Sequence, residues 1–305
     1  MNHCGRSFVS RARPGFVGLL IGLASVSMPA AGAGATSAEQ PAAELKKRYE
    51  AATAALGKSE FGRPLLLESS DADNKVRGEV LAVMDQPLSR LRGALEAPDR
   101  WCEILLVTPS VAGCHAEKES LSVRLARRYD QASKDAFAAS FAFKPTASSP
   151  DYVSVELAAD KGPVGTSKYR IEVEAMALDA QRSVLRMAYS YHYGLKASLA
   201  TKAYLATKGG DKVGFSRAGN GGDPQVLVGG MRGSVERNAM RYYLAIETNV
   251  AQGDAKESAS RFTTSLDAWL SAIGRYPRQL KETDPELYRR VKREQFATTK
   301  VARND

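Results

Sequence analysis

The residues best suited to ligand chemistry are tyrosines at every second position near the middle of the chain. Tyr189, Tyr191 and Tyr193 follow Met187 at this spacing. Because successive side chains of a β-strand point to opposite faces, these four residues share one face of a strand. An apolar wall with hydroxyl groups is the usual lining of a small-molecule pocket. The alternative is that the tyrosines only fill the core, with hydroxyls bonded internally.

A glycine-rich turn at residues 229–234 contains Arg232 and precedes a helical pattern. Backbone amides at the N-terminus of a helix favour anions, and Arg237 lies one turn further on. This arrangement suits a phosphate or carboxylate headgroup, which makes Arg232 a candidate ligand-binding residue. The turn lacks the lysine and hydroxyl that end a phosphate-binding loop, so the glycines can also serve only to turn the chain.

Histidines are too few for most catalytic arrangements. Beyond residue 35 the chain has only His115 and His192, and Ser216 falls one residue out of step with the nucleophile-elbow motif. No histidines and carboxylates occur at metal-ligand spacing. The sequence therefore predicts no catalytic residue, no metal and no cofactor. A general base at His192 in a strand is the alternative that stays open.

Residues 1–35 have the order of a cleavable secretion signal. Arginines come first, an apolar stretch of about 13 residues follows, and small residues end the segment. This stretch is too short to span a bilayer, which needs about 20 residues. We therefore expect an exported protein, either periplasmic or secreted. In an oxidising compartment the remaining Cys102 and Cys114, twelve positions apart, are predicted to form a disulfide.

The charge pattern argues against a nucleic-acid partner. The formal net charge is +9, but the basic residues are scattered among acidic ones and form no stripe with aromatic residues between. A basic run near the C-terminus contains Arg289, Arg290, Lys292 and Arg293. We interpret this run as a solvated helix face, with transient contact with anionic lipid as the alternative.

The elements that must position these residues follow a clear order. A tether at residues 36–44 leads into a helix, and two strands and two short helices follow it. Strict alternation of apolar and polar residues then predicts a meandering antiparallel sheet, with one face in an apolar interior and the other in water. The predicted strands are at 65–67, 75–84, 121–125, 137–143, 153–157, 169–175 and 185–193. A helix is predicted at 195–207, and a long helix at 231–250 precedes further helices.

Two segments carry a resemblance to a known family. In residues 78–87 a strand passes to a helix through an acidic residue and a proline, and residues 98–105 contain Trp101 ahead of the sheet. In both respects the chain resembles the START-like (SRPBCC, helix-grip) superfamily of lipid-transfer domains, polyketide cyclases and aromatases. The chain departs from the usual pattern by its N-terminal helix, its disulfide, a glycine-rich region and about 50 residues after the long helix.

The resemblance implies an α+β helix-grip fold, in which a curved antiparallel sheet wraps a long C-terminal helix, with extra terminal helices. The expected parts are a signal peptide (1–35), a tether and helix (36–64), a START-like domain (65–250) and a C-terminal helical extension (251–305).

The expected function is non-enzymatic binding of a hydrophobic small molecule or lipid in an internal cavity of an exported protein. The first alternative is a cyclase-like or aromatase-like enzyme that acts on an apolar cyclic substrate. The second is an envelope interaction module with a closed core, in which Trp269 and Tyr276 present the working surface. An open cavity would separate the first two classes from the third.

Overall fold

The computed structural model describes residues 36–199, 212–218, 226–253, 257–281 and 284–304. The predicted signal segment and the second half of a predicted helix at 195–207 lie outside the described residues. Residues 35–305 form one compact unit. No helix in the described ranges is long and apolar enough to cross a membrane.

Eight antiparallel strands form one sheet in the order β1-β2-β8-β7-β6-β5-β4-β3. Each strand except β1 and β3, at the edges, therefore has two hydrogen-bonded neighbours. The strands are β1 (Leu65–Ala72), β2 (Lys75–Met84), β3 (Val111–Ala116), β4 (Ser120–Leu125), β5 (Phe137–Ser149), β6 (Tyr152–Lys161), β7 (Thr166–Ala177) and β8 (Ser183–Tyr193).

The alternation in the sequence sets the two faces of this sheet. In β7, Ile171 and Val173 are buried on the concave face, while Glu172 and Glu174 on the convex face are half-buried. Apolar side chains on the concave face of all eight strands belong to the main core. Burial of this continuous apolar surface is the main force that holds the sheet against its helices.

A long helix, α4 (Gly230–Val250), packs on the concave face. Its backbone approaches β2 closely at Gly78, where a Cβ atom would lie 2.9 Å from the carbonyl oxygen of Val235. Only glycine permits that contact. Two short helices, α2 (Leu88–Leu95) and α3 (Pro98–Leu106), connect β2 to β3. This arrangement is the α+β helix-grip fold that we predicted.

The predicted disulfide is present. Cys102 in α3 and Cys114 in β3 are bonded, with their Cα atoms 5.3 Å apart. The bond attaches α3 to the edge strand of the sheet.

The N-terminal helix differs from the prediction in two ways. Helix α1 (Thr36–Leu56) includes residues 36–44, which we predicted to be a tether, because this alanine-rich segment favours helix. The helix also packs on the convex face of the sheet, where Leu45 and Leu56 join Leu81, Tyr152 and Val184 in a second, smaller core. The expectation that this face lies in water is therefore wrong for the part that α1 covers.

The C-terminal helices pack onto the same unit and correct two further expectations. They are α5 (Ser258–Gly274), α6 (Pro277–Leu280) and α7 (Pro285–Asn304). Trp269 is fully buried and donates to the carbonyl of Arg241 over 3.2 Å, so it presents no working surface. In the basic run, Lys292 is fully buried, whereas Arg289 and Arg293 pair with Asp267 at 2.6 and 3.5 Å. The prediction of a solvated basic face is therefore wrong for Lys292, while Arg290 and Arg293 are exposed.

Candidate ligand-binding cavity

A cavity of about 330 Å³ lies between the concave face of the sheet and α4. Its size falls at the small end of the range of small-molecule sites. The described lining is mostly apolar or aromatic and contains no aspartate, glutamate, histidine or lysine. It comprises Leu105, Ser110, Val111, Val123, Leu125, Ala126, Phe141, Pro163, Val164, Thr166, Tyr169, Ile171, Tyr189, Tyr191, Ala197, Gly230, Met231, Ser234, Arg237, Asn238 and Tyr242.

One end of the cavity reaches solvent. It is bordered by the turn between β6 and β7, by Ala197 after β8, and by Met231 at the start of α4. Val164 in that turn lines the cavity and is 41% exposed. A ligand can therefore enter at this end without disrupting the sheet.

Four tyrosines form one wall of the cavity. The rings of Tyr169 and Tyr191 are stacked with centroids 5.2 Å apart, and Tyr189 meets the edge of Tyr242 at 5.1 Å. Tyr189 also lies 5.6 Å from Tyr191. Three of these residues come from adjacent strands β7 and β8, and Tyr242 comes from α4. The aromatic contacts fix the rings in a defined arrangement before any ligand is present.

The hydroxyl groups of these tyrosines divide into two classes. Tyr169 donates to the hydroxyl of Thr166 over 2.8 Å, and Tyr242 is hydrogen-bonded to Ser110. Tyr189 and Tyr191 are only 6% and 7% exposed, yet their hydroxyls have no hydrogen-bond partner among the described residues. Neither hydroxyl is among the fully buried side-chain atoms that lack a partner, so both open into the cavity, where water or a ligand can bond them.

Burial keeps the wall uncharged. It raises the pKa of Tyr169 to about 12 and also raises the pKa values of Tyr189 and Tyr191 above their ordinary value. All three hydroxyls are therefore protonated near neutral pH and can donate hydrogen bonds to an acceptor on a ligand.

Helix α4 supplies the remaining polar groups. Arg237 is buried and donates to the carbonyls of Lys212 and Val213 at 3.1 and 3.2 Å, which ties residues 212–218 to the helix. Its positive charge lies close enough to Tyr191 to act against the rise in that pKa. Ser234 and Asn238 lie four residues apart on the same helix face.

The structure brings together two of the four residues predicted on β8. Tyr189 and Tyr191 line the cavity, whereas Met187 is fully buried between Val80 and Val173 of the neighbouring strands. At the end of β8, Tyr193 donates to Asp71 of β1 over 2.8 Å, outside the cavity. The four residues share a face as predicted, but the cavity covers only the middle of it.

Arg232 lies away from the cavity. Its Nε donates to the hydroxyl of Ser69 over 2.7 Å and lies 3.9 Å from the buried carboxylate of Glu236. The same carboxylate accepts the backbone amides of Phe215 and Ser216 at 2.6 and 2.9 Å. The predicted headgroup role for Arg232 does not fit this position, because α4 directs residues 232 and 236 towards β1 and the 212–218 segment.

Sequence reasoning missed Tyr242 and Asn238 as cavity residues, whereas Arg237 was already a candidate beside Arg232. A signal for the helical ones was present, since residues 231, 234, 238 and 242 recur at the three-to-four spacing of one helix face. Within the described ranges, no group of three or more histidine, cysteine or carboxylate side chains is placed to hold a metal ion.

No family model and no curated protein matches this chain. Among solved structures, a START superfamily protein from Mycobacterium smegmatis is 9% identical, with a TM-score of 0.36 over 58% of this chain and 97% of that one. A conserved protein from Geobacillus kaustophilus is 11% identical, with a TM-score of 0.35 over 58% and 95%. Norcoclaurine synthase from Thalictrum flavum, in complex with dopamine and hydroxybenzaldehyde, is 9% identical, with a TM-score of 0.35 over 63% and 98%.

The fold is the helix-grip fold. The strand order and the position of α4 decide this, and they confirm, at the level of the fold, the resemblance to the START-like superfamily. Alignments of this size and identity say nothing of ligand or activity. Those depend on the cavity and its side chains.

Proposed function

We propose that this chain is an exported binding protein that holds one compact apolar or amphipathic molecule in its cavity without transforming it. The observation that carries the proposal is the pair of hydroxyls on Tyr189 and Tyr191, which open into an aromatic-lined cavity and make no hydrogen bond to a described residue. A ligand acceptor that replaces cavity water at such a hydroxyl gains a hydrogen bond worth about 0.5–1.5 kcal/mol.

The lining and the volume of the cavity indicate which kind of ligand it can bind. The stacked rings of Tyr169 and Tyr191 suit an apolar or planar body, and the free hydroxyls suit a carbonyl, carboxylate or ether oxygen on it. A volume of about 330 Å³ favours a small ring compound or a single short chain over a two-chain lipid. The lack of acidic, histidine and lysine side chains in the described lining favours binding over acid–base catalysis.

The export half of the proposal rests on the segment at residues 1–35, whose residue order is that of a secretion signal. The Cys102–Cys114 disulfide supports it, because such bonds persist in oxidising compartments. Mass spectrometry of the protein from its native host would test it, and a chain that retains residues 1–35 in the cytoplasm would contradict it.

Binding can be tested by titration with 1-anilinonaphthalene-8-sulfonate, an apolar dye with an acidic group. A Ser234→Phe variant places a ring in the cavity from the half-buried face of α4. The matched control is Ser260→Phe, which puts the same ring on the exposed side of α5. We expect a micromolar site in the natural chain and in Ser260→Phe, and at least tenfold weaker binding in Ser234→Phe.

Equal dye affinity in all three proteins, with unchanged thermal unfolding, would overturn this assignment of the cavity. Ser260→Phe also controls for non-specific dye binding, because it adds the same ring outside the cavity.

A further inference from the structure

Helix α7 binds the backbone around the cavity through three side chains on one face. Tyr288 donates to the carbonyl of Val107 over 2.7 Å, and Lys292 donates to the carbonyl of Val111 over 2.7 Å. Gln295 is the third, and its amide donates to a backbone carbonyl over 2.9 Å. The spacing of four and three residues puts these donors in a row along the helix. We call Tyr288, Lys292 and Gln295 the terminal clamp.

The three acceptor carbonyls lie beside the cavity lining. Val107 follows α3, whose Leu105 lines the cavity, and Val111 begins β3 and lines the cavity itself. The acceptor of Gln295 is Tyr129, a few residues beyond the lining residues Leu125 and Ala126. The terminal clamp therefore holds the α3–β3 connection, the start of β3 and the β4–β5 connection in one arrangement.

Lys292 is the exceptional member of the clamp. Its side chain is fully buried, and its other neighbours are the amide oxygen of Gln295 at 3.0 Å and the ring of Tyr288 at 5.5 Å. In the described part of the chain it forms no ion pair. Burial lowers the pKa of this amine to about 7, because no charge compensates for its lost hydration.

The charged groups on the surrounding elements are engaged elsewhere or exposed. Asp267 of α5 pairs with Arg289, Glu103 of α3 pairs with Arg261, and Asp130 beside Tyr129 pairs with Arg128. None of them contributes to the shift of Lys292. The remaining titratable residues on these elements are Asp99 and Arg100 on α3, His115 on β3, and Glu286, Arg290, Arg293 and Glu294 on α7 itself.

We propose that α7 is a pH-sensitive clamp on the cavity wall, docked more firmly as Lys292 loses its proton and released more often when Lys292 is protonated. An amine freed into water regains its ordinary pKa of 10.5, so the released state binds the proton more tightly than the docked state. The equilibrium constant for docking of α7 therefore rises about tenfold per pH unit as the pH rises from 7 towards 10.5. Below pH 7 the fraction of released helix is highest and no longer changes with pH.

Docking of α7 and ligand binding are coupled because Val111 both accepts a hydrogen bond from α7 and lines the cavity. This coupling rests on the proposed function. A ligand that contacts Val111 and its neighbours binds the docked arrangement best, so it also stabilises the docked helix. By reciprocity, conditions that release α7 weaken ligand binding by the same factor.

The test is hydrogen–deuterium exchange of peptides from residues 285–299 in the full chain at pH 7 and pH 9, corrected for intrinsic exchange. In this window ordinary lysines and tyrosines do not change charge. We expect the opening constant of α7 to fall about 50-fold from pH 7 to pH 9 in the natural chain, and to stay within threefold in Lys292→Met. Arg290→Met, an exposed position on the same helix, is the matched control and keeps the change of about 50-fold.

A pH-independent opening constant in the natural chain, or an unchanged pH dependence in Lys292→Met, would overturn the clamp. Exchange repeated with the dye bound tests the coupling, and slower exchange of α7 supports it. Dye binding without any effect on α7 contradicts the coupling alone. Absence of dye binding contradicts the proposed function, while the pH comparison still decides the clamp.

Discussion

The two faces of the sheet differ in how their polar side chains are bonded. On the convex face, beneath α1, Glu79 accepts from Arg186 at 2.7 Å and Arg77 at 3.0 Å, and it also pairs with Arg48. On the concave face, the hydroxyls of Tyr189 and Tyr191 open into the cavity and make no hydrogen bond to a described residue.

This contrast separates structural polar groups from those available to a ligand. The charge of a carboxylate buried with three guanidinium groups is balanced by the protein itself, and the group contributes to stability only while the set is complete. A hydroxyl that opens into the cavity without a protein partner adds little to stability but can bond an incoming molecule. The comparison therefore predicts that variants on the two faces affect different properties.

The largest effect on stability is expected from Glu79→Gln. This change removes the buried carboxylate that Arg186, Arg77 and Arg48 share and leaves them only their more exposed partners Glu174, Glu172 and Glu68. It should cost about 3 kcal/mol in the free energy of urea unfolding at pH 7. Dye affinity should not change, because Glu79 lies on the face away from the cavity. Glu68→Gln is the control, since Glu68 also pairs with Arg48 but its side chain is 72% exposed. It should cost under about 0.5 kcal/mol.

The carboxylate of Glu79 also makes the free energy of unfolding depend on pH. Burial alone would raise the pKa of Glu79, but the hydrogen bond and charge of Arg186, with Arg48 and Arg77, hold it below 4.5. Its contribution is therefore present above pH 4.5 and is lost as the pH falls through the folded-state pKa. Unfolding free energy between pH 5 and pH 3 should fall more steeply in the natural chain than in Glu79→Gln, and parallel curves would contradict this account.

The next effect concerns the disulfide beside the cavity. Replacing Cys102 and Cys114 together by serine should lower the unfolding free energy by about 3 kcal/mol, because a closed loop of about twelve residues restricts the unfolded chain. Urea unfolding of the natural chain with and without a reductant gives an independent measure. If neither treatment shifts the midpoint, α3 and β3 do not depend on this bond.

The smallest expected effects on stability are those of removing single hydroxyl groups from two tyrosines in the cavity wall. Tyr169→Phe removes a hydrogen bond to Thr166 and should cost about 1 kcal/mol of stability. Tyr189→Phe removes a hydroxyl without a protein partner and should leave stability within about 0.5 kcal/mol, while binding of an acceptor-bearing ligand weakens about three- to tenfold. Equal loss of stability in the two variants would show that Tyr189 is bonded within the protein.

Local patterns in the sequence were sufficient for much of the fold. Alternation located the strands from β4 to β8, and a cysteine pair twelve residues apart predicted the disulfide. The tyrosine face of β8 also followed from alternation alone. These features depend on neighbours along the chain, which is why the sequence revealed them.

Apart from the helical tether at residues 36–44, the corrections depend on contacts between distant segments. Nothing near Lys292 in the sequence shows that Val111, 181 positions away, accepts a hydrogen bond from its amine. Arg232 looked like a headgroup ligand until the packing of α4 placed it beside Ser69 and Glu236. In the same way, α1 covers a strand face whose polar residues indicated water. Periodicity identifies the face of an element but not what covers it.

The most direct test of the central claim is native mass spectrometry of the mature protein purified from its own compartment, followed by solvent extraction of any released compound. We predict one bound molecule per chain, apolar in body, with at least one hydrogen-bond acceptor, and its occupancy should fall in Ser234→Phe. A bare polypeptide mass, with no uptake of the dye or of offered apolar compounds, would contradict the account.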